Sequence, residues 1–166
     1  MRILGIDPGI AIVGYGVVDK EYNKYKAVSY GAITTPAHTP VESRLKTIYD
    51  EMTLLFARYK PDAMSVEELF FNNNAKTAIS VGQARGVILL SAVESRVPVF
   101  EYTPLQVKQA LTGYGHASKI QIQNMMRSLL ALNEIPKPDD VADALAIAVC
   151  HGNSMQYNIL MKGRFR

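Results

Sequence analysis

The sequence is poor in several residue types, and each shortage removes a class of protein. It contains one cysteine, Cys150, and no tryptophan. An intramolecular disulfide is therefore impossible, and we expect Cys150 to be a buried thiol that packs like a small apolar side chain. The three histidines, His38, His116 and His151, are far apart and lack the spacing of zinc ligands. Neither a disulfide scaffold nor a structural zinc site is supported.

Long apolar runs and long charged runs are also missing. The longest apolar segments, residues 87–93 and 144–150, are much shorter than the ~20 residues that a membrane helix needs. The N-terminal residues do not resemble a signal sequence, so we expect a cytoplasmic protein with no membrane partner. The net charge of +3 permits a nucleic-acid partner without requiring one. Basic residues lie between positions 85 and 127 and at the C-terminus, which favours a basic face beside the acidic residues described below.

The N-terminal third has the pattern of an antiparallel meander. Residues 2–6, 14–18 and 26–34 are rich in β-branched side chains and are separated by turn-forming residues. Connections this short join antiparallel strands. An amphipathic helix follows, and the residues after Thr39 have the order of a capping box at its start.

The remainder of the chain alternates strands with helices. A strand at 63–66, a helix at 75–94 and a strand at 97–102 predict a parallel pair with a right-handed crossover. Capping-box patterns open two more helices after Thr103 and Ser118, and the last helix should run from about Asp139 through Val149. These elements predict one α/β domain, residues 1–153, with a mixed five-stranded sheet flanked by helices. Residues 154–166 are expected to form a loose basic C-terminal tail.

Carboxylates stand at the predicted ends of two strands. Asp7 follows the first strand, and Glu67 and Glu68 end the strand at 63–66. Because side chains alternate along a strand, only one of these two glutamates can face the same side as Asp7. Taken alone, Asp7 could simply begin a turn, and a glutamate that ends a strand usually faces solvent.

Three further carboxylates begin the last helix. Asp139 or Asp140 could cap the free amides of its first turn. Asp143 precedes an apolar run that must be buried, and it shares a helix face with Asp140, so the two carboxylates repel each other unless a cation lies between them. Carboxylates of this kind bind Mg²⁺ together with phosphate oxygens and waters. Two ions about 4 Å apart would suit in-line phosphodiester hydrolysis.

Six motifs together carry a family resemblance. They are ILGIDPG at 3–9, GYG at 14–16, VEELF at 66–70, GQARG at 82–86, VKQ at 107–109 and DVADALAIA at 140–148. In this order and spacing, over residues 1–151, they resemble the RuvC family of Holliday-junction resolvases. The resemblance implies an RNase H-like fold and a homodimer. It also implies an endonuclease that resolves four-way DNA junctions in recombination and repair by paired cuts, with Mg²⁺ as cofactor and Mn²⁺ as a substitute.

The resemblance assigns roles to individual residues. The catalytic and metal-binding residues would be four carboxylates that hold one or two ions per subunit: Asp7, Glu67, Asp140 and Asp143. Some members of the family have His where this chain has Asp140, so the chain resembles the all-carboxylate form. Asp139 and Glu68 each lie one residue away from a matched position. If the match is wrong by one residue, they would take the places of Asp140 and Glu67.

Further matches concern DNA and a second subunit. Lys108 and Lys119 resemble lysines that the family places against the scissile or neighbouring phosphates, and Phe70 resembles an aromatic that stacks on an unpaired base. Ala78, Gly82 and Gly86 form a strip of small residues along one helix. That strip marks either an internal contact or, as the resemblance favours, the dimer interface. The family also works with a RuvA–RuvB branch-migration complex, and the sequence leaves open whether that complex is a partner here.

Three other functions remain open at this point. The segment GIDPG followed by Gly14 also resembles the phosphate loop of actin-like ATPases and sugar kinases, which need two such domains around one nucleotide. A noncatalytic junction-binding module would need the basic and aromatic residues but not the carboxylates. Another RNase H-like nuclease, acting on RNA precursors or on a different DNA structure, is the nearest rival.

Overall fold

The computed structural model describes the backbone of residues 1–68 and 75–164 and the side chains of residues 1–68 and 78–155. Five strands and five helices lie within these ranges. In chain order they are β1 (Arg2–Asp7), β2 (Ile12–Glu21), β3 (Lys24–Thr34), α1 (Val41–Tyr59), β4 (Ala63–Glu67), α2 (Ala75–Glu94), β5 (Val99–Tyr102), α3 (Pro104–Thr112), α4 (Lys119–Leu129) and α5 (Asp139–Arg164).

The strands form one mixed sheet in the order β3-β2-β1-β4-β5. β1 pairs antiparallel with β2, and β2 pairs antiparallel with β3, whereas β4 is parallel to both β1 and β5. The predicted sheet, with three antiparallel strands followed by two parallel ones, is confirmed. β1 is its central strand, and Ile3, Leu4 and Ile6 are fully buried because helices cover both faces.

Two apolar cores lie on opposite faces of the sheet. One core joins the sheet to α1 and α2 and includes Leu4 and Met64, while the other joins it to α3, α4 and α5 and includes Ile3 and Leu145. α5 lies very close to the strands because they carry glycine beneath it. A Cβ added to Gly5 would lie 2.1 Å from the carbonyl oxygen of Ala144, which belongs to the second turn of α5. This contact fixes the start of α5 against the carboxyl end of β1.

Capping was predicted correctly for two helices and wrongly for a third. Thr103 and Ser118 each form a complete capping box with the glutamine three residues later. α1 instead begins at Val41, with Pro40 as its N-cap and no capping side chain. Its predicted cap, Thr39, lies in a turn in which its backbone amide donates to the carbonyl of Pro36.

The final helix is longer than predicted. α5 runs to Arg164, so the backbone of residues 154–164 is helical and the expected loose tail is wrong for that segment. Tertiary contacts hold the first turn of α5 beyond Val149. Asn153 donates from Nδ2 to the carbonyl of Ala110 at 3.0 Å and accepts from the Tyr25 hydroxyl at 2.7 Å. No helix within the described residues has the length and apolar character needed to cross a membrane.

Candidate metal centre

Two adjacent parallel strands bring Asp7 and Glu67 to the same end of the sheet. The β1–β4 register pairs Ile6 with Val66, so the next residues, Asp7 and Glu67, end their strands side by side. Both side chains are half-buried, whereas Glu68 is exposed. The structure therefore places Glu67, and not Glu68, on the same side as Asp7.

The first turns of α5 add two more carboxylates. Gly14 of β2 is the strand partner of Asp7, and the backbone of Asp140 lies directly on it: a Cβ at Gly14 would be 2.0 Å from the Asp140 carbonyl oxygen. Asp143 follows one turn later, and both aspartates are half-buried. The four carboxylates that the resemblance singled out are thus gathered at one edge of the sheet, from two strands and one helix.

The electrostatics of this edge are those of an acidic pocket with too little positive charge. Burial, followed by the charges of Glu67, Asp143 and Asp140, raises the pKa of Asp7 to about 8. Burial and the charge of Asp143 also raise the pKa of Glu67. Burial is the main cause of the raised pKa of Asp143 as well. A bound cation would lower all three pKa values. Carboxylate oxygens are the ligands that hard divalent cations prefer.

The carboxylates do not converge tightly on a single point. Among the described residues, no three His, Cys, Asp or Glu side chains lie close enough together to hold an ion as they stand. Asp143 is instead engaged by the protein's own ammonium group, since Lys119 Nζ lies 3.1 Å from its Oδ2. The donor set therefore fits a divalent cation in chemistry and charge, while one of its members is paired with a lysine.

The two predicted phosphate-binding lysines lie beside this pocket. Lys119 is the first residue of α4, and its Nζ also lies 2.5 Å from Asp139 Oδ2. These carboxylates raise the pKa of Lys119, with the hydrogen bond to Asp139 as the largest cause. Lys108, on α3, is close enough for its charge to lower the pKa of Glu67. Both ammonium groups are thus placed to meet an anion that approaches the carboxylates.

The other residues noted in the sequence have different outcomes. Phe70 lies outside the described residues. Arg85, the first member of the expected basic face, forms an ion pair with Glu101 and is mostly buried. Gly82 and Gly86 are not in an internal contact among the described residues, because a Cβ at either position would meet open space.

The sequence carries no signal for the partnership of Asp139 with Lys119. Its local pattern favours Asp139 as a helix cap or as the neighbour of the matched position Asp140. The two partners belong to different helices, so no local spacing signals that they meet. Only the packing of α4 against α5 reveals the contact.

Comparison with known proteins gives consistent matches over nearly the whole chain. The family model described as crossover junction endodeoxyribonuclease RuvC matches residues 3–151. A protein of that name from Halothermothrix orenii is 60% identical over 158 residues, which cover 95% of this chain and 96% of the relative. The structure of Thermus thermophilus RuvC is similar with a TM-score of 0.87 and 40% identity, covering 95% of this chain and 97% of that one. T. thermophilus RuvC in complex with a Holliday junction substrate gives 0.87 at 37% identity, with 95% and 96% covered.

Proposed function

The chain belongs to the RuvC family of crossover junction endodeoxyribonucleases, and on that premise we propose that four carboxylates of the acidic pocket carry its reaction. They are Asp7, Glu67, Asp140 and Asp143. The fold is the RNase H-like fold expected from the sequence, and the function is the endonucleolytic resolution of four-way DNA junctions. The observation that carries the assignment is the gathering of these four half-buried carboxylates where β1, β4 and the start of α5 meet, close enough for Glu67, Asp140 and Asp143 to raise the pKa of Asp7.

Dependence on a divalent metal follows from the family. We assign Mg²⁺ as that metal, with Mn²⁺ as a substitute and one or two ions per subunit, because the candidate ligands are all carboxylates. A metal held there would supply an activated water and a counter-charge for the departing oxygen of an in-line displacement at phosphorus. The four carboxylates would hold it at the edge of the sheet.

The protein's own residues handle charge and protons around that site. Without a cation, burial and the neighbouring carboxylates favour the protonated form of Asp7, whereas a bound cation would favour its ionised form. Lys108 and Lys119 lie beside the carboxylates and would bind DNA phosphates, which holds the backbone over the pocket. Phe70 would stack on an unpaired base near the junction centre.

We further propose that the protein acts as a homodimer through α2. The face of α2 opposite the core carries Ile79, Leu90 and Val93, which are 72%, 53% and 67% exposed. Gly82 and Gly86 lie on this same face and have open space beside them. Glycine costs a helix about 1 kcal/mol relative to alanine, and close approach of another helix would offset that cost. In a symmetric pair the same face of α2 meets its own copy, and the two acidic pockets are related by a two-fold axis.

Substrate selectivity tests the function directly. We expect Mg²⁺-dependent cleavage of a four-way junction and much slower cleavage of a linear duplex of the same sequence or of a structured RNA. Equal cleavage of the linear duplex would contradict a junction resolvase, and preferential cleavage of the RNA would favour the rival RNase H-like nuclease. The RuvA–RuvB complex remains a proposed partner, to be tested by its effect on the rate of junction cleavage.

A mixed dimer tests the proposed symmetry. One subunit would cut one strand, so a heterodimer of one wild-type subunit and one Asp143→Asn subunit should nick a junction and seldom resolve it. Analytical ultracentrifugation of the same sample reports whether dimers are present. A monomer at micromolar concentration that makes paired cuts would refute both the dimer and the role given to α2.

A further inference from the structure

Lys119 is shared by two carboxylates that have different roles. Its Nζ lies 2.5 Å from Asp139 Oδ2 and 3.1 Å from Asp143 Oδ2. The Asp143 side chain is 31% exposed and belongs to the proposed metal site, whereas the Asp139 side chain is 54% exposed and lies outside the set of four. The lysine therefore bridges the pocket and a carboxylate at its rim.

The shared lysine creates a competition at Asp143. An ammonium group and a divalent cation seek the same carboxylate, and each disfavours the other when both are close. If Asp143 were the sole partner of Lys119, the cation would have to displace the lysine completely. Asp139 offers the ammonium group a second partner on the solvent side of Asp143, and that partner makes the shorter contact.

We propose that Asp139 is a positioning residue that holds Lys119 at the rim of the acidic pocket and so keeps Asp143 available to a divalent cation. This inference rests on the proposed metal site. It assigns Asp139 a role through Lys119 and not a contact with the metal. Held at the rim, the ammonium group also stays where an approaching phosphate would meet it.

A simpler role for Asp139 is that of an acidic residue in the first turn of a helix. Such residues favour helix formation through the dipole and the free amides. The contact of Asp139 Oδ2 with Lys119 Nζ at 2.5 Å is not needed for that role. The two roles differ in one respect that can be measured: only the positioning role depends on Lys119.

A double-mutant cycle that measures Mg²⁺ affinity separates the positioning role of Asp139 from its role at the helix start. Titration calorimetry without DNA would compare the wild-type protein, Asp139→Asn, Lys119→Ala and the double variant, with Glu68→Gln as a control that removes a nearby exposed acid. We expect Lys119→Ala to bind Mg²⁺ more tightly, because a competing cation is gone. We expect Asp139→Asn to weaken binding about threefold more in the wild-type background than in the Lys119→Ala background. Asp139→Glu should restore most of the affinity.

Two results of the Mg²⁺ titrations would overturn the inference. The first is an equal effect of Asp139→Asn in both backgrounds, since it would reduce Asp139 to a general source of negative charge. The second is tighter Mg²⁺ binding by Asp139→Asn. Wild-type protein that binds no Mg²⁺ would refute the metal site, and melting temperatures of the same four proteins in EDTA would then decide the positioning contact. Non-additive melting temperatures would support the Asp139–Lys119 contact, and additive ones would remove it.

Discussion

Replacing Asp7 with asparagine should stabilise the metal-free protein against unfolding and should abolish its cleavage of junction DNA. The pKa of Asp7 is about 8 in the folded protein, against an ordinary value of 3.8. The folded state therefore binds this proton more tightly than the unfolded state does. Between about pH 4 and pH 8 the free energy of unfolding falls as pH rises, by up to about 1.4 kcal/mol per pH unit for one such group. The asparagine side chain carries no charge at any of these pH values, so the variant avoids that loss.

The stability gained by Asp7→Asn follows from the raised pKa of Asp7, reduced to allow for screening by solvent. Asp7 is half-buried, and neighbouring carboxylates can take up part of the proton exchange, so the full shift overstates the effect. We expect Asp7→Asn to raise the free energy of unfolding by about 1–3 kcal/mol at pH 8.5. For a domain of this length that corresponds to a rise of roughly 2–12 °C in Tm.

Thermal unfolding in EDTA at pH 4.5 and pH 8.5 measures this effect, with Glu68→Gln as the control for loss of an exposed acid. The variant should melt above the wild type at pH 8.5, and the difference should shrink at pH 4.5, where Asp7 is protonated in the fold. Saturating Mg²⁺ at pH 8.5 should raise the Tm of the wild type more than that of the variant, because only the wild type keeps this ligand. An Asp7→Asn protein that melts at or below the wild type at pH 8.5 would refute the reasoning.

Four further outcomes are expected from the proposed roles. Glu67→Gln should abolish junction cleavage and Glu68→Gln should retain it, as measured by single-turnover assays; the opposite result would mean that the β4 register is wrong. Lys108→Ala should weaken binding to all DNA sequences and reduce the salt dependence by about one counterion, and an unchanged slope of log Kd against log salt would remove the phosphate contact. Gly86→Arg should convert dimers to monomers in analytical ultracentrifugation without unfolding the subunit, since a Cβ at this position meets open space within one chain. Phe70→Ala should slow junction cleavage more than it weakens binding to plain duplex, and equal effects on both would argue against base stacking.

Local sequence patterns were sufficient for most of the sheet and for two helix starts. β-branched runs and short turns fix the antiparallel strands, because both signals act within a few residues. The capping boxes at Thr103 and Ser118 are similarly local. The failed cap at Thr39 had the same residue pattern, but the chain there forms a turn with Pro36 and leaves Pro40 at the N-cap.

Local sequence patterns do not predict features that are set by tertiary contacts. The turn of α5 that follows Val149 is held by hydrogen bonds that Asn153 donates to the Ala110 carbonyl of α3 and accepts from the Tyr25 hydroxyl, and no local helix-stop signal encodes them. The raised pKa of Asp7 depends on burial beneath α5 and on three carboxylates from other elements. The sharing of Lys119 by two aspartates likewise depends on the packing of α4 against α5. The sequence could suggest which carboxylates belong together, but not which of them a lysine would already hold.

The central claim is that the acidic pocket cuts junction DNA with a divalent metal, and Asp143→Asn tests it most directly. Asp143 lies in the first turns of α5, one turn after Asp140. Asparagine has nearly the shape of aspartate, so this variant removes one charge from the pocket and changes little else. Its junction affinity and its single-turnover cleavage rate in Mg²⁺ should be measured side by side with those of the wild type. We expect junction binding that is unchanged or tighter, because a carboxylate that repels phosphate is gone, together with cleavage reduced by at least about a thousandfold. Cleavage at a rate close to that of the wild type would contradict the assignment of this pocket as the active site.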